Sequence, residues 1–211
     1  MGTLCWRTIV LSPAMRHGSP MTSVSMCFVR RRPSTTLSGM EPTHSALIVP
    51  VPEAEPAVAD LRARLDRAAS WGVPAHITVL YPFLPPAQLT PQVLAAIRLI
   101  AAGVPRFYLT LDRIGWFDDR VLWLSPSPAE PFRELTNRLA VRFPQTQPYE
   151  GEFADVIPHL TVGHDTPGLP EAAAQVQPLL PIRARVTSLR LIAGRREPGD
   201  SWHTLTDFPL G

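Results

Sequence analysis

The sequence predicts an α+β fold with antiparallel sheet, on three observations. Short apolar runs alternate irregularly with amphipathic stretches, unlike the regular strand–helix repetition of a parallel sheet. Two pairs of runs are joined through tight turns, as hairpins are. The 25 prolines in 211 residues punctuate the chain into short elements. With 45% hydrophobic and 18% charged residues, the chain has the composition of a globular protein able to bury a core.

Residues 1–39 stand apart. They carry five arginines (Arg7, Arg16, Arg30, Arg31 and Arg32), no acidic residue, and much Ser, Thr, Pro and Met. The apolar stretch at 9–11 follows Arg7 and precedes Pro13, too short for a secretory core or a membrane span. The segment reads as a disordered or spurious N-terminal extension with Met40 as the working start; an organelle transit peptide is the alternative. One domain is expected over 40–211.

Within it, 46–51 is a short apolar run ending before Pro52, a first strand. In 56–70, Val58, Leu61, Leu65 and Ala68 fall at helical spacing after Pro56. Strand 76–81 and helix 91–102 follow, then strands 107–117 and 120–125 joined through Asp118-Asp119 as a hairpin. Phe132, Leu135, Leu139 and Phe143 share one face of a helix over 131–143. A strand at 157–162, a helix at 170–180, and closing strands at 182–193 and 202–206 around the turn 194–200 complete the chain.

All 20 basic residues are Arg, which excludes a lysine nucleophile or Schiff base. Removing the leader leaves 15 Arg against 18 Asp and Glu. A mildly acidic body argues against an extended nucleic-acid surface and for a small site gripping one phosphate. Cys5 and Cys27 both lie in the leader, so the body has no disulfide, thiolate metal site or cysteine nucleophile. A reducing, cytoplasmic setting suits it, without a membrane and as a monomer. No Gly-rich nucleotide loop, serine elbow or HExxH motif is present.

One long-range echo carries chemistry. PAHITV at 74–79 returns as PHLTV at 158–162, with His76 and His159 separated by 83 positions. Strand side chains alternate faces, so His76 and Thr78 share one face while Ile77 and Val79 share the other. His159 and Thr161 stand likewise against Leu160 and Val162. Two imidazoles holding one proton can act as general acid and general base. Opening a cyclic phosphodiester needs that division, with attack and departure in line through phosphorus. The threonine hydroxyls are placed to donate to its non-bridging oxygens.

The paired HITV and HLTV motifs resemble the two-histidine phosphoesterase superfamily, particularly proteins similar to 2′-5′ RNA ligase and cyclic phosphodiesterases. GVPAHITVLYPF at 72–83 is similar to its first-motif region, and WHTLTDFPL at 202–210 to its closing strand. The resemblance spans residues 43–210 and implies a bilobal, pseudo-twofold fold. Two mainly antiparallel sheets with flanking helices would surround a central cleft. It implies cofactor- and metal-independent hydrolysis of a cyclic phosphodiester, the 2′,3′-cyclic phosphate of a small nucleotide or an RNA 3′-end. 2′-5′ RNA end ligation and non-catalytic RNA-end binding are the alternatives. His76 and His159 match the catalytic positions, and Thr78 and Thr161 the phosphate-binding ones. The resemblance puts His76 as acid and His159 as base, an assignment that can be reversed.

Where some relatives place an arginine after the second motif, this chain runs Gly163-His164-Asp165. His164 is a candidate substrate-binding residue, although strict alternation turns it away from His159 unless Gly163 permits a kink. His159, His164, Asp165 and His203 match no zinc spacing. His203 is read as framework or cleft wall, Tyr81 and Phe83 as core, and 194–197 as a charged hairpin tip. Trp116, Phe117 and Trp123 are assigned to the core, with base stacking as their alternative.

Overall fold

The structure, a computed structural model, describes residues 41–146, 156–196 and 201–211. The expectations for the leader 1–39 and for the turn beyond Arg196 lie outside the described residues. The sheet is formed by β1 (His44–Pro50), β2 (His76–Leu80), β3 (Phe107–Phe117), β4 (Val121–Ser127), β5 (Leu160–His164), β6 (Ile182–Val186), β7 (Ser188–Gly194) and β8 (His203–Pro209). The helices are α1 (Glu55–Leu65), α2 (Arg67–Ser70), α3 (Pro91–Ala102), α4 (Glu130–Arg142) and α5 (Leu169–Val176). Among the described residues no helix is long and apolar enough to cross a membrane.

The local chemistry explains the helix limits. Helix α3 starts at Thr90, whose hydroxyl accepts from the Val93 amide at 3.3 Å, with Pro91 in the first turn and Gly103 after the last. Helix α4 buries Phe132, Leu135, Thr136 and Leu139 at spacings of three and four. The Thr136 hydroxyl donates to the Val79 carbonyl at 2.9 Å and so ties α4 to β2. The helix expected over 56–70 is broken at Asp66, which is extended (φ −121°, ψ 112°) and caps α2 by accepting from Ala68 N–H at 3.0 Å. The β3–β4 turn matches the expected hairpin: Asp118 and Asp119 take φ of 49° and 57°, a region short polar side chains tolerate.

The strands form one antiparallel sheet in the order β6-β3-β4-β5-β2-β1-β7-β8. It consists of two four-stranded halves that meet at β5 and β2. The two expected sheets are therefore joined, through the pair Ile77–Leu160. The single strand expected over 182–193 is two, parted at Thr187: β6 pairs with β3 and β7 with β1. Six strand steps of about 4.8 Å would separate β6 and β7 by about 29 Å in a flat sheet. The two-residue step from Val186 to Ser188 spans at most about 7 Å. The sheet must curl to close that difference, and an unbroken apolar run conceals the crossing.

Alternation sorts the two faces. Ile77, Val79, Leu160 and Val162 belong to the main buried core with Leu47, Leu122, Leu124, Leu135 and Leu191. On the opposite face Ala46, Ile48, Val73, Ile192 and Trp202 form a smaller cluster, with Trp71 and Tyr81 against it. His76, Thr78, His159 and Thr161, all partly exposed, share a cavity with that cluster.

Candidate active site

His76 is seated by the chain just before β2. Glu55, at the start of α1, accepts the Ala75 amide at 2.6 Å, and Arg62 donates to the Val73 carbonyl at 3.2 Å. The Val51 amide donates to the Ala75 carbonyl at 2.8 Å. With that segment fixed, His76 Nδ1 lies 2.7 Å from the Pro74 carbonyl oxygen. His159 repeats the device: its Nδ1 lies 2.7 Å from the Ile157 carbonyl oxygen. A carbonyl only accepts, so each Nδ1 carries the hydrogen and each Nε2 is the nitrogen free to titrate. Rings confined this way hold their direction before any ligand arrives.

The sheet register sets the spacing. With Ile77 opposite Leu160, continuing the antiparallel ladder puts His76 opposite Thr161 and Thr78 opposite His159. The histidines are thus diagonal neighbours, a relation that separates side-chain origins by about 7–8 Å. Each histidine stands beside the threonine of the other triplet. All four line one cavity of about 320 Å³, walled by Trp71, Tyr81, Trp202 and Arg196. A second cavity of about 630 Å³ adjoins it, lined by Trp116, Phe117, Asp118, Arg120 and Asp165 among others. His159 and His164 line both.

Burial dominates the electrostatics. It holds His76 down to about 4, opposed by the Pro74 carbonyl and assisted by the Arg62 and His159 charges. His159 is lowered too, first by burial and then by His164, against the Ile157 carbonyl. Burial pushes Asp66 up, but His164, Arg62 and the Ala68 amide outweigh it and hold the carboxylate below its ordinary range. The cleft by itself therefore favours two neutral imidazoles. A phosphate anion between them adds charge that favours protonation, so anion binding and proton uptake are linked.

The structure brings all five sequence-predicted residues, His76, Thr78, His159, Thr161 and His164, into this cleft. Other expectations change. Tyr81 is not core like Phe83: it lines the central cavity, its hydroxyl bonded to Arg196, whose guanidinium lies 5.0 Å from its ring centroid. Arg196 is accordingly a cleft wall rather than an outward hairpin tip. Trp116, Phe117 and Trp123 are not core either. Phe117 meets His159 edge-on at 5.0 Å, Trp123 lies 5.9 Å from it, and Trp116 is 36% exposed beside the larger cavity. His203 is exposed, while its neighbour Trp202 lines the cleft. Sequence reasoning missed Arg62 and Asp66; their spacing of four within a helical stretch was the only signal, and it resembles an ordinary surface pair. Among the described residues no group of three or more His, Cys, Asp or Glu is placed to hold a metal ion.

A curled antiparallel sheet presenting two His-x-Thr triplets to one cleft defines a protein of the two-histidine phosphoesterase class. The chain belongs to the 2′-5′ RNA ligase superfamily, whose family model matches residues 50–198. Among solved structures it is similar to E. coli LigT complexed with 3′-AMP, at 22% identity and a TM-score of 0.56 over 81% of this chain and 99% of that one. It is also similar to TT0787 of Thermus thermophilus, at 21% identity and a TM-score of 0.59 over 79% of this chain and 97% of that one. At these identities the likeness shows the fold. No curated protein matches it in sequence.

Proposed function

We propose that this protein is a metal-independent hydrolase that opens a cyclic phosphodiester, the 2′,3′-cyclic phosphate of a small nucleotide or an RNA 3′-end, and that it works as a cytoplasmic monomer. The carrying observation is the diagonal pair of imidazoles, each with Nδ1 held by a carbonyl and Nε2 left to titrate, in one cavity with both threonines. The neutral imidazole takes a proton from water as its oxygen attacks phosphorus. The protonated one gives its proton to the departing ribose oxygen as the P–O bond breaks. Thr78 and Thr161 donate to the non-bridging oxygens, where charge grows in the transition state. The product is a phosphomonoester, and the imidazole pair ends with its one proton exchanged between partners. The geometry is compatible with either direction of that exchange; the resemblance favours His76 as the acid. The LigT structure that this chain resembles holds 3′-AMP, a phosphomonoester of the kind such hydrolysis yields.

The test is incubation of the full chain with nucleoside 2′,3′-cyclic phosphates and with an oligonucleotide ending in a cyclic phosphate. Monoester product is expected, lowered about 10²–10⁴-fold in His76→Ala and in His159→Ala, and unchanged by EDTA. Joined oligonucleotides would instead assign end ligation, and tight binding without product an RNA-end binder. Activity lost in EDTA and restored by zinc would overturn the metal-independent reading.

A further inference from the structure

In the half-sheet β5-β4-β3-β6, one side packs on the core and the other stays open. Strand β6 alternates strictly: Ile182, Ala184 and Val186 are buried, while Arg183 and Arg185 point out. In β3, Leu109 and Leu111 are buried and Tyr108 and Thr110 share the outer side. Directly paired residues share a face, so Arg185 stands beside Tyr108, and Arg183 lies in one row with Thr110 and Ser127. The pairing of β3 with β4 is irregular between Leu111 and Arg113, and Asp112 is the extra residue. Arg113 therefore keeps the side of Tyr108, as does Gly115, which pairs with Trp123. Trp123 in turn pairs with Thr161. One open face thus runs from the second His-x-Thr triplet to the edge strand β6.

On these rows every charged side chain is an arginine. Arg113 is 73% exposed, and the Arg185 guanidinium lies 5.8 Å from the ring centroid of Tyr108, itself 72% exposed. A ring this open buries little apolar surface and offers a stacking platform beside a cation. Gly115 keeps the face low near the cleft: a Cβ there would lie 2.2 Å from the Trp123 ring, so the indole lies across β3. Two carboxylates lie nearby. Asp112 in the bulge is 3.4 Å from Arg113 Nε, an exposed pair that a phosphate displaces at little cost. Glu53 accepts the Arg185 amide at 3.1 Å, at the outer edge of β6. A count of 15 Arg against 18 acidic residues averages this face with the rest of the body.

We propose that this face carries the RNA chain whose 3′-terminal phosphate sits between the histidines, with backbone phosphates on Arg113, Arg183 and Arg185 and a base on Tyr108. That the terminal group is a phosphate rests on the function proposed above; the face deepens that reading by naming an RNA end, not a free nucleotide, as the substrate. The terminal ribose of an RNA is tied through its 5′ oxygen to the rest of the strand, which must leave the cleft over some surface. From Gly115 to Tyr108, β3 advances about 20 Å at about 3.3 Å per residue, with Asp112 absorbed in the bulge. A mononucleotide in the cleft does not span that length; a strand of several nucleotides does.

The probes are a nucleoside 3′-monophosphate and an RNA octanucleotide ending in a 3′-phosphate, neither of which is consumed, each titrated into the full chain by calorimetry. The octanucleotide is expected to bind at least about tenfold more tightly in low salt. Arg113→Gln, Arg183→Gln and Arg185→Gln together should cancel that gain. They should also make the slope of log K against log salt shallower by about 2, at about 0.7 for each of three phosphates. The mononucleotide, which ends short of the arginines, should bind wild type and variant alike. The matching triple lysine variant should keep the salt slope, a rescue that a merely structural role of the guanidinium groups would not give. Tyr108→Ala should weaken the octanucleotide at least about fivefold through the lost stack. Equal affinities for the two probes, or equal salt slopes for wild type and the glutamine variant, would overturn the proposal. Binding is read without turnover, so arginine-dependent RNA binding by a protein that opens no cyclic phosphate removes only the hydrolase reading. Turnover of nucleoside cyclic phosphates without that dependence removes only the RNA face.

Discussion

Replacing His76 with asparagine should flatten the acid limb of this protein's stability. The asparagine amide can still donate to the Pro74 carbonyl, which His76 Nδ1 reaches at 2.7 Å, so the seat is kept while the titration is removed. Burial, with Arg62 and His159, lowers His76 from 6.5 to about 4. Between those values the unfolded chain binds a proton that the folded chain refuses. Stability therefore rises with pH across the window and is lost as pH falls through it. Each pH step of one within that window is worth about 1.4 kcal/mol, so the whole window carries about 3 kcal/mol, and the stretch from pH 6.5 down to 5 about 2 kcal/mol. Urea unfolding of wild type and His76→Asn at a series of pH values reads this directly. The wild type should lose about 2 kcal/mol more than the variant between pH 7 and 5. His159 titrates in both proteins and cancels from the difference. A difference that stays constant over that span would refute the account of burial in the cleft.

Two further outcomes follow from the same geometry. Gly163→Ala should cost about 1–3 kcal/mol in thermal or urea unfolding, because the new methyl meets Leu65 and Leu169 below 3 Å. Glu55→Ala leaves the Ala75 amide without its 2.6 Å partner; kcat should fall several-fold with KM little changed, and stability by about 1–3 kcal/mol, measured by steady-state kinetics and urea unfolding.

The His-x-Thr triplets were legible because strand alternation is a local rule: Ile77, Val79, Leu160 and Val162 are buried while the polar partners face the cleft. What alternation could not supply was which apolar face is core. The face carrying Tyr81, Trp202 and Phe117 is itself largely apolar, so aromatics that line a cleft read as packing residues. Asp66 was invisible for a different reason. It sits where helical periodicity continues through Ala68, and its partner His164 lies 98 positions away. The division at Thr187 was hidden because both flanking strands have apolar inward faces. His164 shows the limit most plainly. Period two turned it away, and only the irregular pairing of β5 with β4, between Leu122 and Trp123, returns it to the face of Thr161.

The β2–β5 junction also explains how a site divided between two halves of a sheet can be rigid. Among the described residues the ladder between β2 and β5 has a single pair, Ile77–Leu160, which by itself is weak restraint. Sliding the strands by one residue would, however, turn Ile77 and Val79, or Leu160 and Val162, out of the core while driving a histidine and a threonine into it. Exposing two fully buried aliphatic side chains costs about 3–6 kcal/mol, and burying an unpaired imidazole and hydroxyl adds to it. That is a large share of the roughly 5–15 kcal/mol that hold a domain folded. The diagonal placement of His76 and His159 is therefore held less by contacts within the cleft than by the apolar residues between the triplet positions, on the opposite face of the same strands. A substitution such as Leu160→Ala, which touches neither imidazole Nε2, removes part of what keeps the two rings in register.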